Sequence, residues 1–259
     1  MPITDWSRRI ALLTALLGTP ALPAAAEDIP VDLELVLAVD ISGSVDEVEA
    51  LLQREGYMAA LRHPQVIEAI EGGMFGRIAV VYVEWAGDYY QRTMLEWSLL
   101  EDAESASAFA DALAETPLAT AHWTSISGAI DYAVPLFDDN GFEGFRRVID
   151  ISGDGHNNRG RPVEYARDEA VAAGITINGL PIVNDRPNPW GGRPAMDLDH
   201  YYEQRVIGGP GAFIVVAEDY TAFASAILSK LLLEIAGDTP PSRRIVVASS
   251  PSSTVRFAE

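Results

Sequence analysis

The chain has 259 residues, 48% of them hydrophobic, with no cysteine and a formal net charge of −20. That length is enough for one α/β domain with a full core. The acidity argues against nucleic-acid binding and against electrostatic attachment to anionic lipid, and the lack of cysteine excludes disulfides, thiol catalysis and thiolate metal sites.

The first 26 residues read as an export signal. Arg8-Arg9 makes a positive n-region, Ile10 to Leu17 an apolar h-region, and Ala24-Ala25-Ala26 an A-x-A cleavage site that makes Glu27 the mature start. Gly18, Pro20 and Pro23 break the apolar stretch, which is short for a membrane span, and no later stretch is long and apolar enough. These features predict a periplasmic or secreted protein without a span in the mature chain. The paired arginines also fit a twin-arginine signal, with the general secretory route preferred because such pairs are common by chance.

Strand-like and helix-like segments then alternate, which predicts βαβ units. Asp32–Val39 is an apolar run suited to a buried strand, followed by a helix from about Asp46 to Leu61. Arg77–Trp85 is a second strand. Tyr89–Leu99 is a third, and the short Gly87-Asp88 link allows only antiparallel pairing, hence one antiparallel edge strand. Helices are expected over Glu101–Glu115 and from the Thr124 region to about Phe137. Arg147–Ser152 is the fourth strand, Val163–Ala173 a helix, Ile175–Val183 the fifth strand, Phe213–Val216 the sixth, and Thr221 to about Ala236 the last helix. The expected fold is α/β: a doubly wound, mainly parallel six-stranded sheet with helices on both faces. Residues 27–237 form the domain. Residues 238–259 are Pro- and Ser-rich and read as a flexible tail, with Ile245–Ala248 as a candidate short strand.

Three segments carry chemistry. Asp40-Ile41-Ser42-Gly43-Ser44 follows the first strand, and loops after parallel strands are where open sheets bind ligands. One carboxylate and two hydroxyls make a hard, oxygen-only set that selects Mg²⁺, Mn²⁺ or Ca²⁺. The plainer account is that Ser44 and Glu47 form a capping box while Asp40 and Ser42 shape a turn. Trp123-Thr124-Ser125-Ile126-Ser127-Gly128-Ala129-Ile130 lies between two helices. Arg147 to Gly155 is a β-prone run ending in Asp154-Gly155, which puts Asp154 at a strand's end as Asp40 is.

Together these segments resemble a von Willebrand factor type A (VWA) domain. Asp40, Ser42 and Ser44 match its D-x-S-x-S, Thr124 with Ala129 and Ile130 its T-x4-A-L/I segment, and Asp154-Gly155 its strand-end Asp-Gly. The resemblance spans roughly residues 30–236 and implies a complete metal-ion-dependent adhesion site, or MIDAS, formed by Asp40, Ser42, Ser44, Thr124 and Asp154. In that family the hydroxyls bind the ion directly and the aspartates act mainly through water. The ion then takes a partner's Asp or Glu. Ala121-His122-Trp123 stands where the family usually has glycines. A closer likeness, carried by the leader, Asp-Ile-Ser-Gly-Ser-Val, Glu84-Trp85-Ala86 and Ile151 to Gly155, is to the bacterial VWA-like proteins of domain-of-unknown-function family 1194.

The expected function is therefore cation-dependent docking of a protein or peptide partner that presents Asp or Glu, with adhesion or assembly as the wider role and Mg²⁺, Mn²⁺ or Ca²⁺ as the cofactor. Trp123, His156, Asn157, Arg159 and Trp190 are the candidate rim, since tryptophan and arginine are enriched at interface hot spots. Trp190 lies in the Pro-, Gly- and Asn-rich stretch 184–195, read as a long loop after a strand's end. The alternative placement has Trp123 packed under its loop and Trp190 in a plain insertion. Two other functions stand beside docking: a metal-stabilised scaffold that binds no ligand at the ion, and a metal-dependent hydrolase using His156. Catalysis is disfavoured because no G-x-S-x-G elbow, P-loop or H-x-x-x-H spacing is present. Asp150, inside an apolar strand, is expected as a buried, hydrogen-bonded carboxylate, or else as a group tuning the metal from below.

Overall fold

Leu33–Asp40 is buried along its whole length. In the computed structural model it pairs in parallel on both sides, with Ile78–Trp85 and with Arg147–Gly153. The structure describes residues 27–183, 197–237 and 242–247, and the backbone of 255–257. The leader and stretch 184–195, with Trp190 in it, therefore lie outside the described residues.

In chain order the strands are β1 (Ile29–Val31), β2 (Leu33–Asp40), β3 (Ile78–Trp85), β4 (Gln91–Leu100), β5 (Phe142–Gly144), β6 (Arg147–Gly153), β7 (Thr176–Pro181), β8 (Ile214–Ala217), β9 (Arg244–Val247) and β10 (Val255–Phe257). The helices are α1 (Glu47–Leu61), α2 (Pro64–Glu71), α3 (Ala103–Ala114), α4 (Ile126–Ala133), α5 (Val163–Ala172), α6 (Leu198–Tyr201) and α7 (Phe223–Ala236). The main sheet runs β10-β9-β8-β7-β6-β2-β3-β4, and β1 and β5 form a separate parallel pair.

The sheet is mainly parallel and doubly wound, with β4 as the expected antiparallel edge. It has eight strands where the sequence suggests six. β9, at the candidate short strand, extends it in parallel beside β8, and β10 closes that edge antiparallel. Such edge strands are short, so hydrophobic periodicity marks them weakly.

Two separate clusters cover the sheet. One packs α1, α2, α3 and α7 against Leu35, Leu37, Val80 and Val215. The other packs α4, α5 and the segment 198–207 against Val36, Val81, Ile149 and Ile177. Alternating strand residues feed the two faces, which is why β2 and β3 read as continuous apolar runs.

Two helical features escape the periodicity reading. α2 begins with His63 as its cap, accepting from Gln65 N–H, and Pro64 in its first turn; His-Pro is the signal that marks its start. The helix after Thr124 turns 3₁₀ over Val134–Phe137, where Pro135 removes a donor.

Candidate metal centre

β2 and β6 are neighbours, so Asp40 at the end of one and Asp154 just past the other meet at the same edge of the sheet. The loop after β2 folds back on itself. Asp40 Oδ1 accepts from Ser42 N–H at 2.7 Å, and Val45 N–H donates to the Ser42 carbonyl. Ser44 does not cap α1. That cap is Asp46, paired reciprocally with Glu49 in a capping box. Shifting the cap two residues leaves the Ser44 hydroxyl available to the site.

The hydroxyls and carboxylates converge. Ser42 Oγ lies 3.0 Å from Ser44 Oγ, and Ser44 Oγ donates to Asp154 Oδ1 at 2.5 Å across 110 residues of sequence. Asp154 Oδ2 accepts from Tyr220 Oη at 3.2 Å. Thr124 Oγ1 would stand 3.3 Å from a Cβ at Gly155, which places it beside Asp154. Ser42, Gly43, Ser44, Thr124, His122, Trp123 and Asn158 line an open cleft of about 390 Å³.

The electrostatics suit a cation. Asp40 is fully buried, and its Oδ2 meets no donor among the described residues. Burial and then the charge of Asp154 push its carboxyl well above the usual range, against the bond from Ser42. Asp154 is also raised, by burial, and the bonds from Ser44 and Tyr220 only partly offset this. Two neighbouring buried carboxyls need a proton or a cation between them. Two carboxylates with three hydroxyls are hard oxygen donors, so these residues fit a Mg²⁺-, Mn²⁺- or Ca²⁺-like ion.

Asn158 is the site residue that sequence reading misses. Its Oδ1 accepts from Thr124 N–H at 2.9 Å, while its own N–H donates to the Thr124 carbonyl at 2.8 Å. Asn158 thus clamps the Thr124 loop to the Asp154 loop. The only signal for it in the sequence is proximity to Asp154, because a pairing across 34 residues leaves no local pattern.

The candidate rim divides. Trp123 is 51% exposed and lines the cleft, with the Arg159 guanidinium 4.0 Å above its ring. Its φ of 68° is the left-handed conformation that bulky residues rarely adopt. Asn157 turns inward: its Oδ1 accepts from Ser127 N–H and its Nδ2 donates to the Arg161 carbonyl. His156 packs edge-on against Tyr201 at 4.4 Å, and burial holds its pKa below the usual value.

Asp150 is sealed on the α7 side of the sheet. Its Oδ1 lies 2.6 Å from Lys230 Nζ, and Lys230 also bonds Glu234 at 2.5 Å. Among the described residues no cluster of three His, Cys, Asp or Glu side chains has metal-site spacing, so the hydroxyls are essential to the candidate centre. No helix among the described residues is long and apolar enough to cross a membrane.

Solved structures share this fold. BatB from Bacteroides thetaiotaomicron is 21% identical, with a TM-score of 0.54 over 80% of this chain and 100% of that one. A von Willebrand factor type A protein from Catenulispora acidiphila is 13% identical, with a TM-score of 0.53 over 79% of this chain and 43% of that one. Proximal thread matrix protein 1 from the mussel byssus, with a zinc-occupied MIDAS motif, is 12% identical, with a TM-score of 0.57 over 90% of this chain and 67% of that one. At these identities the likeness is one of fold, and the fold is VWA-like. No curated relative matches the sequence. The model of the protein family of unknown function DUF1194 matches residues 30–239, which is most of the chain, and the protein belongs to that family.

Proposed function

We propose that this protein is an exported docking module that holds a divalent cation through Asp40, Ser42, Ser44, Thr124 and Asp154 and engages an Asp or Glu of a protein or peptide partner there. The observation that supports this reading is that Ser42, Ser44 and Asp154 are joined by hydrogen bonds, with Asp40 held to Ser42 N–H, behind an open cleft lined by Ser42, Ser44 and Thr124. VWA-like folds serve protein interaction, and the mussel relative's MIDAS holds zinc. Mg²⁺ or Mn²⁺ suits the hard oxygens of this chain.

The residues divide the work. Ser42, Ser44 and Thr124 offer neutral oxygens, and Asp40 and Asp154 supply the buried negative charge. A cation held mainly by neutral oxygens keeps its attraction for an anion, which gives an acidic protein a local positive docking point. Trp123 and Arg159 stand beside the cleft to meet the partner's flanking residues. Trp190 is the further residue proposed for the rim, while Asn157 and His156 are held by Ser127, Arg161 and Tyr201 and brace the loop behind it. The leader read in residues 1–26 supports export to the periplasm or beyond.

Calorimetry of Mg²⁺ and Mn²⁺ against the wild type and Asp40→Ala tests the centre. Binding by the wild type and none by the mutant is expected, and equal binding refutes the assignment. Capture from envelope extract, in Mg²⁺ and in EDTA, tests docking. Metal binding that stabilises the fold without any metal-dependent capture replaces docking with the scaffold reading.

A further inference from the structure

Tyr202 occupies a slot that two sheet glycines leave open. A Cβ at Gly179 in β7 would stand 2.7 Å from Tyr202 Cδ1. A Cβ at Gly153, the last residue of β6, would stand 2.9 Å from Tyr202 Oη and 2.8 Å from Asp40 Oδ2. The ring thus crosses β7 towards β6, and its hydroxyl faces the same backbone atom as the Asp40 carboxylate. Glycine inside a strand often marks such a close approach.

Both oxygens are unpaired. Tyr202 is fully buried, and neither its Oη nor Asp40 Oδ2 has a partner among the described residues. An unsatisfied buried polar atom costs about 1–3 kcal/mol. Phenylalanine would fill the same slot without that cost, so the hydroxyl needs a reason of its own. The backbone around it is also unusual. Tyr202–Val206 is a π turn, closed by Ile207 N–H donating to the Tyr202 carbonyl at 3.0 Å, and π turns concentrate at functional sites. The adjacent Tyr201 Oη accepts from Asn157 N–H, so the same segment braces the Asp154 loop.

We propose that Tyr202 is a positioning residue of the metal centre, its hydroxyl donating to Asp40 Oδ2 through one water beside Gly153 once the cation is bound. This rests on the metal reading of Asp40. Ser42 N–H already holds the first carboxylate oxygen. A donor on the second fixes the plane of the group and favours its ionised form, which a cation requires. Tyr220 has the matching place on Asp154. Each carboxylate is then backed by one buried tyrosine, from opposite faces of the sheet.

The test compares wild type, Tyr202→Phe and Gly153→Ala by melting in EDTA and by calorimetric Mn²⁺ titration. Tyr202→Phe is expected to melt in EDTA at or slightly above the wild type, because an unpaired hydroxyl is gone, while its Mn²⁺ affinity falls about tenfold, as for loss of a hydrogen bond to a charged group. Gly153→Ala puts a methyl between the two oxygens and should weaken Mn²⁺ binding as well. Wild-type Mn²⁺ affinity in Tyr202→Phe overturns the proposal. A large fall in its EDTA melting temperature also overturns it, since that marks Tyr202 as packing. If the wild type itself fails to bind Mn²⁺, the metal reading falls and this proposal with it; normal wild-type binding with an unaffected mutant removes Tyr202 alone.

Discussion

Lys230 and Asp150 form an ion pair at 2.6 Å with neither side chain exposed to solvent, and Glu234 bonds the same ammonium one helical turn on. Asn178 donates to the shared Glu234 oxygen at 2.9 Å. One cation therefore serves two buried carboxylates and ties α7 to the central sheet. Lys230→Met leaves both without their countercharge and is expected to cost about 3–5 kcal/mol. Denaturant melts check this. The double variant Lys230→Met with Asp150→Leu should recover part of the loss, since replacing buried pairs by apolar residues is often neutral.

The same cluster gives a pH dependence with a definite sign. Burial, and then Glu234 against the pull of Lys230, lifts the Asp150 carboxyl to about 7. Its folded pKa is thus above the unfolded value of about 3.9. Its protonation stabilises the fold fully below about pH 4, and that contribution is lost as pH rises through about 7. In EDTA, the wild type should lose more stability between pH 5 and 8 than Asp150→Asn. An equal or steeper loss in the variant contradicts the assignment.

Asn158→Ala removes the acceptor for Thr124 N–H. A stability loss of about 1 kcal/mol is expected for one such bond. Mn²⁺ affinity should fall too, because Thr124 is no longer held beside Asp154. Calorimetry that finds unchanged affinity would make Asn158 a loop brace only.

Trp123→Gly should separate stability from capture. Glycine accepts the left-handed backbone at this position, and the exposed indole packs mainly on Arg159. The melting temperature is expected to hold, with no stability loss beyond about 0.5 kcal/mol. Metal-dependent capture of a partner should weaken, with Mn²⁺ affinity retained. A variant that unfolds yet binds partner normally per folded molecule would place Trp123 in the core.

The sequence by itself determined the parallel sheet and the grouping of Asp40, Ser42 and Ser44 at its edge. β2 and β3 are buried on both faces, so their apolar runs are unmistakable, and Asp40, Ser42 and Ser44 sit together in one loop. The short turn after Trp85 forced β4 to be antiparallel. Only the tertiary structure decided how distant segments meet. It paired Asn158 with Thr124 and turned Asn157 inward beneath α4. It also brought Tyr202 to Asp40 across the clearings at Gly179 and Gly153. Periodicity and caps are written in neighbouring residues. Contacts between residues separated by dozens of positions depend on strand order and on which side chains are absent, and neither leaves a local trace.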